Sequence, residues 1–372
     1  MTPSSRSTAM PRFVIGIDLG GTNMVGGVLS EDGSRQVALQ RIRTHAELGA
    51  SGVIARIVSL AESLIEEAAS SAGVERRQIT GIGIGAPGPL NRAEGMVLVA
   101  PNLGWHNVPI RQLVSDALEL PAELDNDANC ATLGELWLGA ARGARHVIGV
   151  TIGTGIGGGL VLDGRLHHGA SDVAGEIGHT TIEAAGRLCG CGNLGCLEAY
   201  ASGPAIALRA REALEGSEAS HLWALADDNP LSITAETVYA AALAGDSLAR
   251  LIVRETAEYL GTGLANLLNV FNPELVVIAG GVTRAGNSLF EPLRAAVKRR
   301  AFRPAVDACR IVPGALPGTA GMVGAVAIFL ASHEQPSADP IPESGLPVSA
   351  TRVPATAGSG GSRTRPSGPP TT

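Results

Sequence analysis

Two stretches of the sequence resemble each other: FVIGIDLGGTNMVGGVL at residues 13–29 and HVIGVTIGTGIGGGLVL at residues 146–162. Aligned without a gap, they share seven of 17 residues. Each copy has an apolar run, a turn rich in glycine, and a second apolar run, which predicts a β-hairpin. Similar composition alone is the alternative explanation. The repeat otherwise predicts a duplicated fold in which both turns can present backbone N–H groups to a ligand.

Strand and helix patterns alternate along the rest of the chain. Helical spacing of apolar residues and short apolar runs predict helices at 54–72, 128–141, 248–269 and 288–301, a short buried helix from about Thr319, and strands at 79–85 and 275–279. Such alternation is typical of an α/β protein. Since each hairpin would open one half of it, we expect two lobes with a cleft between them.

The composition excludes several classes of protein. The apolar fraction of 45% excludes a mostly disordered chain. A net charge of −7 and only 3% aromatic residues argue against a nucleic-acid binder. Glycine is in excess, with 49 of 372 residues, against a usual ~7%. We expect the excess to serve turns that approach ligands closely.

The two ends and one apolar stretch bear on location. Residues 1–12 lack the apolar segment of a secretory signal and are predicted to be disordered. Residues 311–332 carry no formal charge, but prolines and glycines interrupt them, which favours a buried helix over a membrane span. Residues 334–372, rich in Pro, Ser, Gly and Thr, are predicted to be a disordered tail. We expect a cytoplasmic protein with no membrane partner.

The first hairpin turn has the sequence DLGGTN at residues 18–23. Its adjacent glycines allow close approach to phosphate oxygens, and Asp18 could hold Mg²⁺ through water. The alternative is an ordinary turn with a solvated carboxylate. The second hairpin carries TIGTGIGGG at residues 151–159, which is neither a Walker A sequence nor a clear Rossmann fingerprint. The pair of turns together favours phosphate binding.

The sequence DNDAN at residues 125–129 precedes a predicted helix. Asn and Asp are common helix N-caps, so capping alone is one explanation. One cap leaves further groups free, and a carboxylate at a helix start between two lobes could be the general base for an alcohol.

A cluster of metal-ligand residues lies in AGEIGHTTIEAAGRLCGCGNLGCLEAYAS, residues 174–202. One imidazole and three thiolates suit a structural Zn²⁺ with four protein ligands. The predicted ligands are His179, Cys189, Cys191 and Cys196. The alternative is free cysteines in a core, which is how we interpret Cys130 and Cys309. Glu176 and Glu198 flank this array and could accept hydrogen bonds from a polyol or simply be solvated. His167 and His168 are expected to be exposed.

These motifs together resemble the ROK family (repressor, open reading frame, kinase). The resemblance covers residues 13–330 and takes in DLGGTN, NDAN at 126–129, TIGTGIGGG, GEIGH at 175–179 and CGCGNLGCLE at 189–198. Asp125 stands where the family commonly has Glu. The resemblance implies an actin-like, ribonuclease H-like fold of two lobes with a cleft between them. We expect a small N-terminal lobe of residues 13–127 and 319–333, and a large C-terminal lobe of residues 128–318 with the zinc loop.

The resemblance also implies residue roles in a sugar kinase that uses ATP with Mg²⁺. Asp127 would be the catalytic base that takes the proton of a sugar 6-hydroxyl. The sugar-binding residues would be Asn102, Asn126, Glu176, His179 and Glu198. The nucleotide-binding residues would be Asp18, Gly20, Gly21, Thr22, Gly153, Thr154, Gly155, Gly280 and Gly281. His179 would bind zinc with one ring nitrogen and a sugar hydroxyl with the other.

The implied reaction is phosphorylation of a hexose, with glucose as the first expectation. Kinases for N-acetylglucosamine, N-acetylmannosamine or fructose share these motifs, and polyphosphate is an alternative donor. A sugar-responsive repressor is a further alternative, although only a dozen residues precede the first predicted strand, too few for a DNA-binding helix-turn-helix. The resemblance also implies a homodimer.

Overall fold

The protein is described by a computed structural model that covers residues 10–215, 220–226 and 229–333. The disorder expected at residues 1–9 and 334–372 lies outside the described residues. Residues 10–12 precede the first strand without regular structure. The described residues belong to one compact unit. The lobe boundaries expected from the sequence therefore stay a prediction.

Strands form three sheets. They are β1 (Phe13–Leu19), β2 (Asn23–Ser30), β3 (Gln36–Arg43), β4 (Ile79–Ala86), β5 (Leu90–Asn91), β6 (Met96–Ala100), β7 (Trp105–Val108), β8 (Ala122–Asn126), β9 (Val147–Ile152), β10 (Ile156–Leu162), β11 (Arg165–Leu166), β12 (Leu275–Ala279) and β13 (Arg310–Pro313).

Helices connect and cover these strands. They are α1 (Gly49–Ala72), α2 (Ile110–Leu118), α3 (Asp127–Trp137), α4 (Glu198–Ala201), α5 (Gly203–Leu214), α6 (His221–Leu225), α7 (Ala235–Leu243), α8 (Ser247–Phe271), α9 (Asn287–Arg300), α10 (Arg303–Ala308) and α11 (Ala320–His333).

The two large sheets have the same topology. The first sheet has the order β3-β2-β1-β4-β8 and the second the order β11-β10-β9-β12-β13. In each, three antiparallel strands are followed by two that run parallel to the hairpin's first strand. Leu19 pairs with Met24 in the first hairpin, and Ile152 pairs with Ile156 in the second. Both predicted hairpins, the duplication and the α/β class are therefore confirmed.

Each large sheet has its own core, and we call these halves the first and second lobes. In the first lobe, α1 and α2 cover one face of the sheet, and the small sheet β5-β6-β7 joins the same core. In the second lobe, α8 and α9 pack on strands β9 and β12. Helix α11 covers the other face of the first sheet, and α3 packs on the second sheet. Helices α3 and α11 also pack on each other, so both lie between the sheets.

Several glycines serve packing rather than ligand approach. A Cβ on Gly16 would lie 2.2 Å from the carbonyl oxygen of Met322, and one on Gly83 would lie 1.8 Å from that of Ala325. These strand glycines let helix α11 lie directly on the first sheet. The expectation that the glycine excess serves ligand-facing turns is thus wrong for these positions.

The predicted helices are present with shifted ends. Helix α3 ends at Trp137, four residues before the predicted end at Ala141. The N–H of Ala140 donates to the buried carboxylate of Glu135 at 2.8 Å instead of to a helix carbonyl. This side-chain acceptor replaces the next helical hydrogen bond and turns the chain.

One segment, residues 46–72, is long and apolar enough by length and composition to cross a membrane. Its buried residues form one stripe that includes Val53, Ile57, Leu60 and Leu64, and this stripe packs in the core of the first lobe. A buried stripe on one side is typical of an amphipathic helix that packs against the core of a globular protein. The stretch at 311–332 contains the buried helix α11, as predicted.

Candidate active site

The predicted base lies at a junction between a strand and a helix. Strand β8 ends at Asn126, whose side-chain oxygen caps α3 by accepting the N–H groups of Ala128 at 2.9 Å and Asn129 at 3.2 Å. Capping therefore occupies the side-chain oxygen of Asn126. One oxygen of Asp127 accepts the N–H of Ala128 at 2.8 Å, and the carboxylate keeps its other oxygen for other chemistry. If Gly85 carried a Cβ, that atom would lie 3.5 Å from the Cα of Asp127. The side chain of Asp127 therefore begins next to strand β4.

The carboxyl group of Asp127 lies in a low-dielectric, acidic setting. Burial raises its pKa to about 7, and the charges of Asp18 and Glu176 add to the shift. Burial also raises the pKa of Asp18 to about 6, against the opposing charge of Arg41. These three acidic groups converge from β1, from the start of α3 and from the segment before His179. Such a concentration of negative charge suits a base near neutral pH and a neighbouring cation.

The first glycine turn (residues 20–22) joins β1 to β2. The N–H of Gly20 donates to the carbonyl of Asn23 at 3.0 Å, and the hydroxyl of Thr44 donates to the carbonyl of Gly20 at 2.6 Å. Thr22 is exposed. A Cβ on Gly21 would lie 3.0 Å from the amide nitrogen of Asn102, so this turn and a predicted sugar ligand are neighbours.

The second glycine turn (residues 153–155) joins β9 to β10. The N–H of Gly153 donates to the carbonyl of Gly155 at 2.9 Å. Glu198, at the start of α4, accepts the N–H of Ile156 at 2.8 Å. This carboxylate therefore fixes the exit of the turn while one of its oxygens faces the cysteine cluster, 3.8 Å from Cys189 Sγ.

A cavity of about 480 Å³ adjoins the second glycine turn. Gly153, Thr154 and Gly281 line it, together with Arg211, Thr234, Glu236 and Tyr239. Its size is in the range of small-molecule sites. The neighbouring Gly280 has φ +101°, and a Cβ there would lie 2.0 Å from the carbonyl oxygen of Ile152. Only glycine fits that position, so the chain can pass closely over β9 into the cavity wall.

The four predicted zinc ligands converge. The ligand atoms of His179, Cys189, Cys191 and Cys196 lie within 4.8 Å of one another. Cys189 Sγ is 3.8 Å from His179 Nδ1, and Cys191 Sγ is 3.7 Å from Cys196 Sγ. A tetrahedral Zn²⁺ with bonds of about 2.0–2.3 Å places its ligands roughly 3.3–3.8 Å apart. Two of the separations match this spacing and none exceeds 4.8 Å, so the four residues can hold zinc after small side-chain shifts.

The two ring nitrogens of His179 face different groups. Nδ1 faces the cysteine cluster, and Nε2 lies 4.0 Å from Glu176 Oε2. Both Glu176 and His179 are partly exposed, with 46% and 36% of their side chains accessible. A ligand in the cleft can thus reach Nε2 of His179 while Nδ1 points to the predicted zinc site.

One expectation from the sequence is wrong. His168 is not exposed: only 19% of its side chain is accessible, and its Nε2 lies 2.7 Å from Asp125 Oδ2. The carboxylate belongs to the strand β8, far along the sequence, so no local pattern could indicate this partner. His167 is exposed, as expected.

Sequence reasoning missed three side chains that line the cavity: Arg211, Glu236 and Tyr239. Tyr239 is only 5% exposed, and its hydroxyl has no hydrogen-bond partner among the described residues. An unpaired buried hydroxyl in a cavity wall is costly unless a ligand satisfies it. These residues come from α5 and α7, and only the fold brings them to the second glycine turn.

Comparison with known proteins identifies the family. The sequence profile of the ROK family matches residues 14–332. The chain belongs to the ROK family. Its membership accounts for the duplicated two-lobed fold and confirms the resemblance found in the motifs.

Among ROK relatives, a glucokinase of Thermotoga maritima is 38% identical over 322 residues, which is 86% of this chain and 98% of the relative. A ROK glucokinase of Streptomyces griseus, solved with glucose and AMPPNP, has a TM-score of 0.74 and 34% identity, covering 85% of this chain and 98% of that one. A xylose repressor of Caldicellulosiruptor bescii is 35% identical over 326 residues, 85% of this chain and 78% of the repressor.

Proposed function

We propose that this ROK protein transfers the γ-phosphoryl group of ATP to the 6-hydroxyl of glucose. The observation that carries the proposal is the place of Asp127 at the start of α3 close to Asp18 and Glu176, where burial raises its pKa to about 7. A group of that kind is a competent base for an alcohol at neutral pH. The glucokinases of similar sequence, and the one solved with glucose and AMPPNP, support the choice of sugar and donor.

In this mechanism Asp127 accepts the proton of the sugar hydroxyl as its oxygen attacks the γ-phosphorus in line. The N–H groups of Gly20 and Gly153 donate within their own turns, so those of Gly21, Thr22, Thr154 and Gly155 would hold the phosphate oxygens from opposite lobes. The protein does little covalent work, so positioning and charge stabilisation dominate the rate. Closure of the lobes would exclude water, which competes with the sugar for the phosphoryl group.

The nucleotide would extend from the second glycine turn into the neighbouring cavity. There the adenosine would pass Gly280 and Gly281, and the unpaired hydroxyl of Tyr239 would gain a partner. Asp18 would hold Mg²⁺ through water beside Gly20 and Thr22. Magnesium, when bound, neutralises charge on the transferred phosphate.

The sugar would lie between the two lobes. Asn102, Asn126, Glu176, His179 and Glu198 would hold its hydroxyls. Asn126 would do so with its amide nitrogen, because its oxygen caps α3. Zinc on Nδ1 of His179 would fix the ring so that Nε2 points to the sugar, which links the metal to substrate geometry.

Substitution of the base tests the mechanism. Asp127→Ala should strongly impair phosphorylation of glucose, since it removes the group proposed to take the proton, while glucose binding measured by calorimetry stays within a fewfold of wild type. The loss should exceed about 100-fold, in line with general-base contributions. Turnover retained by this variant would contradict the assignment.

The choice of sugar and donor needs a separate experiment. A coupled assay over glucose, fructose, mannose, N-acetylglucosamine and N-acetylmannosamine, with ATP and with polyphosphate, should give the highest kcat/KM for glucose with ATP. The repressors of the family make a sugar-responsive regulator the second candidate. A protein that binds sugar but phosphorylates none of the panel would support that candidate.

Quaternary structure and location remain part of the proposal. We propose a homodimer in the cytoplasm, with no nucleic acid or membrane partner. Light scattering on the purified chain tests the dimer, because twice the mass of 37.8 kDa is readily resolved from the monomer.

A further inference from the structure

A buried carboxylate next to the catalytic base has partners from both lobes. Asp125, the penultimate residue of β8, is 0% exposed. Its Oδ2 lies 2.7 Å from His168 Nε2 and 3.0 Å from Arg92 Nε. Arg92 follows β5 in the first lobe, whereas His168 follows β11 in the second. A single carboxylate thus joins two segments that the chain supplies from opposite lobes.

The two segments also contact each other directly. The backbone N–H of Arg92 donates to Asp172 Oδ2 at 3.2 Å, and Arg92 Nη1 lies 3.9 Å from Asp172 Oδ1. Asp172 belongs to the same loop as His168, and the N–H of Ala174 donates to the carbonyl of His168 at 3.0 Å. This loop runs straight on to Glu176 and His179. Its position therefore determines where the predicted sugar ligands of the second lobe begin.

The other carboxylate oxygen of Asp125 binds the junction of β8 and α3, which carries the proposed base. Oδ1 accepts the backbone N–H of Asn126 at 2.7 Å and the side-chain amide of Asn129 at 2.9 Å. Asn126 is the cap of α3, and Asp127 is the residue that follows. The carboxylate consequently connects the base on one side with the interlobe contact on the other. Because Arg92 offsets the buried charge, loss of Arg92 or His168 leaves Asp125 Oδ2 under-satisfied, and the carboxylate then fixes the backbone of Asn126 less firmly.

We infer that Asp125, Arg92 and His168 form an interlobe clamp in which Arg92 and His168 are positioning residues for Asp127 and the sugar. The inference rests on the proposed sugar kinase reaction for its kinetic consequence. None of the three side chains is assigned a contact with substrate in that reaction. Their effect passes through the backbone of Asn126 and through the loop before Glu176.

Kinetics of His168 variants test the clamp. His168→Ala should lower kcat/KM for glucose by about 10–100-fold, the cost of a misplaced reacting group, with the KM for ATP within twofold of wild type. His168→Gln, whose amide N–H can reach the same oxygen, should recover at least half of the loss on a logarithmic scale. His167→Ala, an exposed neighbour, is the matched control and should behave as wild type.

The interlobe clamp is contradicted if His168→Ala has wild-type kinetics, or if His168→Ala and His168→Gln are equally impaired. A loss of thermal stability without a change in sugar kinetics also contradicts the clamp, since that marks a purely structural contact.

Arg92→Lys and the double variant Arg92→Lys/His168→Gln keep the positive charge beside Asp125 and should fold. Because both residues act on one carboxylate, the double variant should lose less than the product of the single losses.

Hydrogen exchange separates this inference from the proposed function. In His168→Ala, amides of residues 122–130 should exchange faster than in wild type, whereas residues 147–152 should not change. Unchanged exchange at 122–130 overturns the clamp whatever the protein phosphorylates. If the wild-type chain fails to phosphorylate glucose, the proposed function fails, and the exchange result still decides the clamp.

Discussion

At the scale of single residues, the protonation of Asp127 sets a pH dependence. A base must be unprotonated, and burial together with Asp18 and Glu176 raises the pKa of Asp127 to about 7. In the free enzyme kcat/KM for glucose should therefore be constant well above this pH and fall about tenfold per unit as the pH drops below it. A coupled assay between pH 5.5 and 8.5 measures this profile. A constant value down to pH 5.5 would contradict the raised pKa.

The cysteines make a second prediction at the residue scale. Purified protein should contain about one zinc per chain, and Cys191→Ser should lower both zinc content and glucose affinity, because His179 then loses its fixed orientation. Cys309→Ser, outside the cluster, is the control and should keep both. Metal analysis by mass spectrometry decides the point: active wild-type protein without zinc would refute the site.

Residues of the candidate site differ in how far the sequence predicts them. Asp127, the glycine turns and the proposed zinc ligands stand in short motifs, so the sequence offers them as candidates, with the family resemblance choosing Asp127 as the base. Arg92, His168 and Tyr239 have no such local signal. Each acquires its partner or cavity only when separate elements meet, as when His168 reaches a carboxylate on β8.

At the scale of elements, the crossing of α3 and α11 depends on contact between backbones. A Cβ on Gly324 would lie 1.6 Å from the carbonyl oxygen of Cys130. Gly324→Ala must therefore push the helices apart and should lower the free energy of unfolding by about 1–3 kcal/mol. Since α3 carries Asp127, kcat should fall as well.

The matched control for this variant is Ser332→Ala, at an exposed position of the same helix α11. Chemical denaturation of both variants gives the comparison. Equal stability of Gly324→Ala and wild type would contradict the tight crossing.

Helices and strands whose apolar residues recur with a clear period can be predicted from the sequence, and those without such a period cannot. The repeat indicated both hairpins, and apolar spacing indicated α1, α8, α9 and α11. The end of α3 was misplaced because a buried glutamate, Glu135, accepts the N–H groups of Ala140, Ala315 and Leu316. That interaction joins positions 180 residues apart in sequence, which no local window contains. The edge strands β3 and β11 are short or half-exposed and have little apolar signal.

At the scale of the whole molecule, the first lobe is completed by the far end of the described chain. Met322, Val326 and Phe329 of α11 pack on Val14 of β1 in a common cluster. A chain that ends at Thr319 should therefore expose this sheet face and aggregate. A chain that ends at Glu334 retains the compact unit and the whole family match, so it should keep its melting temperature and activity. Thermal unfolding and the glucose assay of both truncations test this.

The position of α11 has a consequence for synthesis. Strands β1 to β4 leave the ribosome early, but the helix that covers one of their faces is about 300 residues behind β1. At roughly 5–20 residues per second, that face waits about 15–60 s for its cover. Throughout this interval a nascent chain displays an apolar surface of Val14, Val25 and Leu29. The first lobe is synthesised early, but this face is covered late. A chaperone that binds apolar surfaces would therefore have a long time to bind it.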